Sequence, residues 1–244
     1  MNGQTILITG GSSGIGLELA RQLIARQNTV IICGRSVRRL AEARESLPQV
    51  HTIDCDVSVE ADRAKLLQWI VTHHASCNVL INNAAIVSKT EFRTDDDMLE
   101  KAELEIRTNL FAPIALSKMF LPLLENHAHS AIVNITTGLV YAPRAVYPIY
   151  NATKAGLHSF TQVLRYQLRK TDVRVLEVMM PVVDTPWHKG EVPGIAISAK
   201  KAVDEMVSRM VKGEQEIRVG AVRILYALSR IAPGFAFEKI NQIS

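Results

Sequence analysis

The stretch "TGGSSGIG" (residues 9–16) decides the fold. It follows directly on a short apolar run, "TILIT" (residues 5–9), and leads into an amphipathic pattern that predicts a helix over 15–26. Gly10, Gly14 and Gly16 let the chain turn sharply and let a phosphate approach the backbone with no Cβ in the way. The free N–H groups and the positive dipole end of the following helix favour an anion. The spacing is GxxxGxG and differs from the GxGxxG fingerprint, so the strand before it and the helix after it carry the argument. Ser12, Ser13 and Ile15 complete the turn and are expected cofactor contacts with the three glycines.

Outward from this turn the chain alternates. Apolar runs rich in Ile and Val fall at 29–34, 50–56, 78–84, 130–137 and 173–180, with a further strand expected at 216–220. Helical patterns lie between them at 37–46, 59–73, 95–124 (interrupted by Pro113) and 150–170. Short continuous apolar strands suit a sheet buried on both faces, and strands alternating with helices imply parallel crossovers. The expected fold is α/β: one Rossmann-like, doubly wound parallel sheet flanked by helices on both faces. No linker or repeat divides the chain, so 1–244 reads as one unit. Its cofactor half would span about 1–130 and its catalytic and substrate half about 131–244, with a lid at about 185–215.

The 244 residues are 48% hydrophobic, enough for a sizeable core, and carry a formal net charge of +4. The basic residues are scattered among acids instead of gathered in a stripe, which argues against nucleic acid. Cys33, Cys55 and Cys77 form no CxxC pair, and the start "MNGQTILITG" has no secretory pattern. They therefore read as reduced thiols in a cytoplasmic protein. The histidine pairs His73–His74 and His127/His129 lack further ligands at metal spacing, so no metal site is expected.

The second strand ends in "CGRS", with Gly34 and Arg35 where many NAD sites carry an acid for the ribose 2′-hydroxyl. A guanidinium grips a 2′-phosphate bidentately. NADP(H) is expected over NAD(H).

"TTGLVYAPRAVYPIYNATK" (residues 136–154) offers three tyrosines and one lysine. Positions i and i+4 share a helix face, which pairs Tyr150 with Lys154. Tyr147 is cut off by Pro148, and Tyr141 lies in the preceding loop. A free phenol has a pKa of ~10; a nearby ammonium lowers it and fits it to exchange a proton with a substrate oxygen.

"TGGSSGIG", "DCDVS", "NNAA", "RTNL", "VNITT" and "YNATK", in this order, resemble the short-chain dehydrogenase/reductase family over nearly the whole chain. The resemblance implies hydride transfer between a nicotinamide and a carbonyl or secondary alcohol. It makes Tyr150 the acid/base and Lys154 the group that lowers its pKa and holds the nicotinamide ribose. Thr137, thirteen residues before Tyr150, takes the place of the family's serine, and Asn109 supports a proton relay. Asp56 and Val57 would hold the adenine, Asn83 and Ala84 the adenosine side, and Val183 and Thr185 the nicotinamide side. Two departures stand out. Ala85 replaces a glycine and would have to accept its backbone conformation. Met180-Pro181 stand where the family has Pro-Gly.

A narrower resemblance, carried by "VVDTPWHKG" and the tail "LSRIAPGFAF", is to DltE-type oxidoreductases, a subgroup associated with D-alanyl lipoteichoic acid gene clusters. Trp187, with His188 and Lys189, falls in the expected lid, and Tyr141, Arg144 and Tyr147 are expected to line or rim the substrate pocket. The tail over 221–237 is amphipathic and reads as a cover for the core or a subunit interface, with a membrane surface as the alternative. The resemblance implies a homodimer or homotetramer built on the helix of Tyr150. A non-catalytic NADP-binding regulatory or membrane-surface accessory protein is the competing reading; the intact set Asn109, Thr137, Tyr150 and Lys154 argues against it.

Overall fold

A computed structural model of the chain describes residues 2–186 and 193–243. The elements run β1 (Thr5–Thr9), α1 (Gly14–Ile24), β2 (Thr29–Gly34), α2 (Val37–Ser46), β3 (His51–Asp54), α3 (Glu60–His73) and β4 (Cys77–Asn82). Then come α4 (Met98–Glu105), a π-helical segment (Ile106–Phe111), α5 (Ala112–Glu125), β5 (Ala131–Thr137), a 3-10 turn (Gly138–Val140), α6 (Pro148–Gln167) and β6 (Arg174–Met180). The chain closes with β7 (Val183–Asp184), β8 (Ile197–Ser198), α7 (Ala199–Val211), β9 (Glu216–Arg218), α8 (Val222–Ile231) and α9 (Pro233–Asn241).

Seven strands form one parallel sheet in the order β3-β2-β1-β4-β5-β6-β9, so the order reverses between β1 and β4. In such sheets ligands bind beyond the carboxyl ends of the strands at this reversal. The period-2 alternation of each strand feeds two cores. Ile6, Ile8, Val133, Ile135 and Val178 pack with Leu19, Leu23 and Met206 from α1 and α7. Leu7, Leu80, Ile132 and Val175 pack on the other face with Leu66, Leu116 and Phe120 from α3 and α5. The α/β sheet expected from the sequence is therefore present, including its last strand.

The helix expected over 95–124 is instead three segments: α4, the π segment and α5. Pro113 is an early residue of α5 and can give no helical N–H. The π turn just before it spaces the chain differently from an α-helix, and Asn109 sits inside it. Likewise the helix expected over 150–170 begins earlier, at Pro148, whose fixed φ suits a first helical position. Ala85 needs no glycine-like conformation: among the described residues the non-glycine positions with positive φ are Gln27 and His129. Among the described residues no helix is long and apolar enough to cross a membrane, and no group of three or more His, Cys, Asp or Glu could hold a metal.

Candidate active site

The turn after β1 is closed to side chains. Gly10 and Gly14 have φ of 64° and 54°, a region that L side chains rarely adopt. A Cβ on Gly16 would lie 2.4 Å from the Gly10 carbonyl oxygen, and one on Gly10 would lie 2.8 Å from the Ala84 Cα. The end of β4 braces the turn. Thr9 Oγ1 accepts from the Asn83 and Ala84 N–H groups, both at 3.0 Å, while Asn83 Nδ2 donates to the Thr9 and Gly10 carbonyls at 2.9 and 3.1 Å. Asn83 thus spends its side chain on the turn itself. Ser13 caps α1 in extended conformation without a side-chain bond. A Cβ on Gly14 would stand 3.3 Å from Thr185, which brings the strand after β6 to the same place. This cradle fits a dinucleotide pyrophosphate: close backbone, exposed N–H groups and a helix N-terminus.

Arg35 follows β2 and pairs with Asp56 at 3.7 Å. Asp56 Oδ1 accepts from the Ser58 N–H and hydroxyl at 2.9 and 2.7 Å, and Val57 is buried beneath. A Cβ on Gly34 would lie 3.2 Å from Ser12 Oγ, so Ser12 and Arg35 share one corner. The Arg35 side chain is 54% exposed and its ion pair is long, which leaves the guanidinium accessible to an anion.

At the other side of the sheet reversal, α6 presents Tyr150 and Lys154 on one face. Lys154 is 2% exposed; its ammonium donates to the Ile135 carbonyl at 2.8 Å and sits 5.8 Å from the Tyr150 ring centroid. Burial pushes Lys154 down to about 8, opposed by the carboxylate of Glu177. Tyr150 moves the opposite way from the expectation. Burial first, then the Glu105 carboxylate and Tyr147, push its phenol above the ordinary tyrosine value. The lysine's bond goes to the Ile135 carbonyl, and the phenol keeps its proton through the neutral range.

Asn109 is fully buried. Its Oδ1 accepts from the Ile86 N–H at 2.8 Å, and its Nδ2 donates to the Ile86 carbonyl at 2.8 Å and to Thr153 Oγ1 at 3.3 Å. It therefore clamps the segment after β4 to the residue beside Lys154. The two adjacent threonines separate by strand alternation. Thr136 donates its hydroxyl to Glu177 Oε1 at 2.6 Å, whereas Thr137 Oγ1 accepts from the Leu139 N–H at 3.3 Å and keeps its own proton to donate.

The expected pocket residues divide. Tyr147 packs edge-to-face on Tyr150, with centroids 6.4 Å apart. Tyr141 turns away: its hydroxyl meets Met179 Sδ and receives Arg218 Nε, both at 2.9 Å, and its ring packs on Tyr226 of α8. Arg144 donates to the Ile243 carbonyl at the chain's end and stacks over the Tyr147 ring. Trp187, His188 and Lys189 lie outside the described residues. The tail helices α8 and α9 pack on the loop of residues 138–147 through Val222, Tyr226 and Asn241.

Two residues escaped the sequence reading. Glu105, four before Asn109, is buried with Oε1 on the Ser88 N–H at 2.6 Å and Oε2 unbonded. Glu177 is buried in β6. Both stand in runs that read as ordinary helix or strand; the available signal was a carboxylate at a position that should be apolar.

A parallel sheet with a glycine cradle at its order reversal and a Tyr–Lys pair across from it defines a dinucleotide-dependent oxidoreductase. The family model described as short chain dehydrogenase matches residues 4–195, and the chain belongs to that family. It is 43% identical over 246 residues to the Bacillus subtilis (strain 168) protein described as "Uncharacterized oxidoreductase DltE", covering 99% of this chain and 98% of that one. Among solved structures it superposes on a short chain dehydrogenase from Burkholderia cenocepacia J2315 in complex with NADP, with a TM-score of 0.87, 23% identity and 98% of both chains covered. A short chain dehydrogenase/reductase from Burkholderia phymatum in complex with NAD gives a TM-score of 0.85 at 18% identity, covering 100% of this chain and 97% of that one. The protein is an NAD(P)-dependent oxidoreductase of DltE type.

Proposed function

We propose that the protein interconverts a carbonyl and a secondary alcohol, with Tyr150 exchanging the proton at the substrate oxygen and NADP(H) as the preferred cofactor. The observation that carries this reading is the Tyr150–Lys154 pair on one face of α6, its buried ammonium bonded to the carbonyl of Ile135, two residues before Thr137 on β5, whose hydroxyl keeps a proton to donate. A nicotinamide dinucleotide held in the glycine cradle would supply or take the hydride. Gly10, Ser12, Ser13, Gly14, Ile15 and Gly16 would hold its pyrophosphate region; Asp56, Val57, Asn83 and Ala84 the adenosine; Val183 and Thr185 the nicotinamide end. In reduction, Thr137 holds the carbonyl oxygen, Tyr150 gives it the phenolic proton, and Lys154 stabilises the phenolate left behind. The raised phenol holds its proton ready, but it is a weaker acid than a free tyrosine, so its release relies on the Lys154 ammonium stabilising the phenolate. Tyr150→Phe should lower turnover of a carbonyl probe such as phenanthrenequinone by at least about 100-fold with NADPH affinity within about threefold. Full activity in that variant would overturn the mechanism.

The pH dependence has a definite sign. Lys154 is cationic below about 8, so the reduction rate should fall as pH rises through that value. Arg35 supports the cofactor preference through its accessible guanidinium, next in sequence to Gly34, whose Cα side meets Ser12. Arg35→Asp should cut the NADPH-over-NADH ratio by about tenfold or more, the scale of one lost charge-assisted contact; an unchanged ratio would remove Arg35 as the reader. Exposed Val163 and Tyr166 on α6 support self-association through that helix as a homodimer or homotetramer.

A further inference from the structure

Behind the Tyr150–Lys154 pair, the sheet holds a carboxylate where a strand interior is ordinarily apolar. Glu177, in the middle of β6, is 0% exposed and stands in register with Asn134 of β5. Its two oxygens lie 2.9 and 2.8 Å from His158 Nδ1, and Oε1 also accepts the Thr136 hydroxyl at 2.6 Å. His158 is one helical turn beyond Lys154 on the same face of α6. Thr136 is flanked by Ile135, whose carbonyl receives the Lys154 ammonium, and by Thr137. One carboxylate therefore ties the helix of the acid/base pair to the strand of the substrate hydroxyl.

Carboxylate oxygens accept, so a proton of His158 sits on Nδ1 toward Glu177, and the Gln162 amide nitrogen lies 3.2 Å from Nε2. A neutral imidazole in this arrangement leaves the Glu177 charge uncancelled. The other charged or titratable groups around the cluster are accounted for. Tyr141 lies 5.9 Å from His158 between ring centroids, and its hydroxyl is held by Arg218. Arg218 and Arg165 both pair with Glu216, at 2.8 and 2.9 Å. Lys154, by contrast, bonds a carbonyl, has no ion-pair partner among the described residues, and feels the Glu177 carboxylate through space.

We propose that Glu177, oriented by His158 and Thr136, is a positioning residue for the Tyr150–Lys154 pair: its buried charge keeps Lys154 cationic and locks α6 to β5. This rests on the catalytic reading of Tyr150 and Lys154 given above. Burial strips the ammonium of water and favours its neutral form; a buried negative charge nearby opposes that loss.

The test is the titration of Lys154 itself, read from lysine ¹³Cε and ¹⁵Nζ resonances of the ligand-free full chain and assigned with Lys154→Arg. Glu177→Gln keeps the shape and removes the charge; the proton affinity of Lys154 should fall about tenfold. Thr136→Val removes a bond and keeps the charge; the fall should stay under about threefold. Unmoved titration in Glu177→Gln would overturn the proposal, because a merely structural carboxylate would cost stability in both variants without touching Lys154. A wild-type measurement guards against an unfolded variant: ¹⁵N-histidine spectra at pH 7 should show His158 as the neutral Nδ1–H form. An imidazolium there would cancel the charge and equally sink the idea. Neither readout uses cofactor or substrate, so a failure of the catalytic reading, seen as an active Tyr150→Phe, would be separate.

Discussion

The glycine turn and the loop of residues 138–147 do the same topological job. Each leaves the carboxyl end of a central strand and delivers the chain to a helix that faces the site, β1 to α1 and β5 to α6. They are specified by different physics. The glycine turn is shaped by what its backbone must do: positive φ at Gly10 and Gly14, and an approach at Gly16 that no Cβ survives. The second loop is shaped by side chains and backbone groups whose partners arrive from the end of the chain. Ala145 N–H donates to Asn241 Oδ1 at 2.6 Å, Asn241 Nδ2 donates to the Pro143 carbonyl at 3.1 Å, and Val222 closes over Gly138. Backbone requirements leave a local signature in sequence, while a partner nearly a hundred residues away leaves none at the loop.

The largest expected effect tests the first half of that contrast. Gly16→Val drives a branched side chain into the Gly10 carbonyl and the Asn83 amide, 2.4 and 2.6 Å from even an added Cβ. Backbone contacts of that kind cannot relax by a rotamer change, so a stability loss of about 3 kcal/mol is expected by thermal or urea unfolding. NADPH affinity, read by fluorescence titration, should fall at least about 100-fold, equivalent to about 2.7 kcal/mol. Near-normal binding would mean that the turn has slack and that its glycines are not set by contact.

The same contrast accounts for what was legible. The alternating strands and helices and the Tyr150–Lys154 pairing follow from periodicities of 2 and 3.6 residues, and the structure has both; the strand order and its reversal appear only in the fold. Asn109 bonds Ile86 and Thr153, but the π segment that carries it has the sequence of an ordinary helix, since a change of helical register has no composition of its own. Tyr141 and Arg144 show the opposite case. Their neighbourhood in sequence is catalytic, yet their polar atoms are drawn off by Arg218, Met179 and the Ile243 carbonyl. Glu177 was hidden inside an apolar strand pattern, and only the contacts of His158 and Thr136 reveal it.

A middle-sized effect sharpens the second half. Asn241→Ala removes the bonds to Ala145 and Pro143 that fasten α9 to the loop. These groups are exposed and water replaces part of the loss, so about 1 kcal/mol of stability should go. Hydrogen exchange should then rise at residues 143–147 and stay unchanged at residues 9–16. Equal acceleration in both places would mean that the two loops are coupled through the sheet and that the tail is not a local fastener.

The smallest effect is the most discriminating for Arg144. Its position in sequence, six residues before Tyr150, invites a role in gripping an anionic substrate. Its guanidinium is instead committed to the Ile243 carbonyl and to the face of Tyr147, 5.7 Å from its ring centroid. Arg144→Gln can still donate to that carbonyl but loses the cation. If the residue serves the tail, KM for carbonyl probes should change by less than about threefold whether the probe is neutral or carries a carboxylate, because no substrate charge is being read. A KM raised about tenfold or more for the carboxylate probe alone, about 1.4 kcal/mol of charge-specific binding, would return Arg144 to the pocket. It would then follow that the tail contact competes with substrate for the same guanidinium, and that the two loops differ less in function than in the way their shapes are fixed.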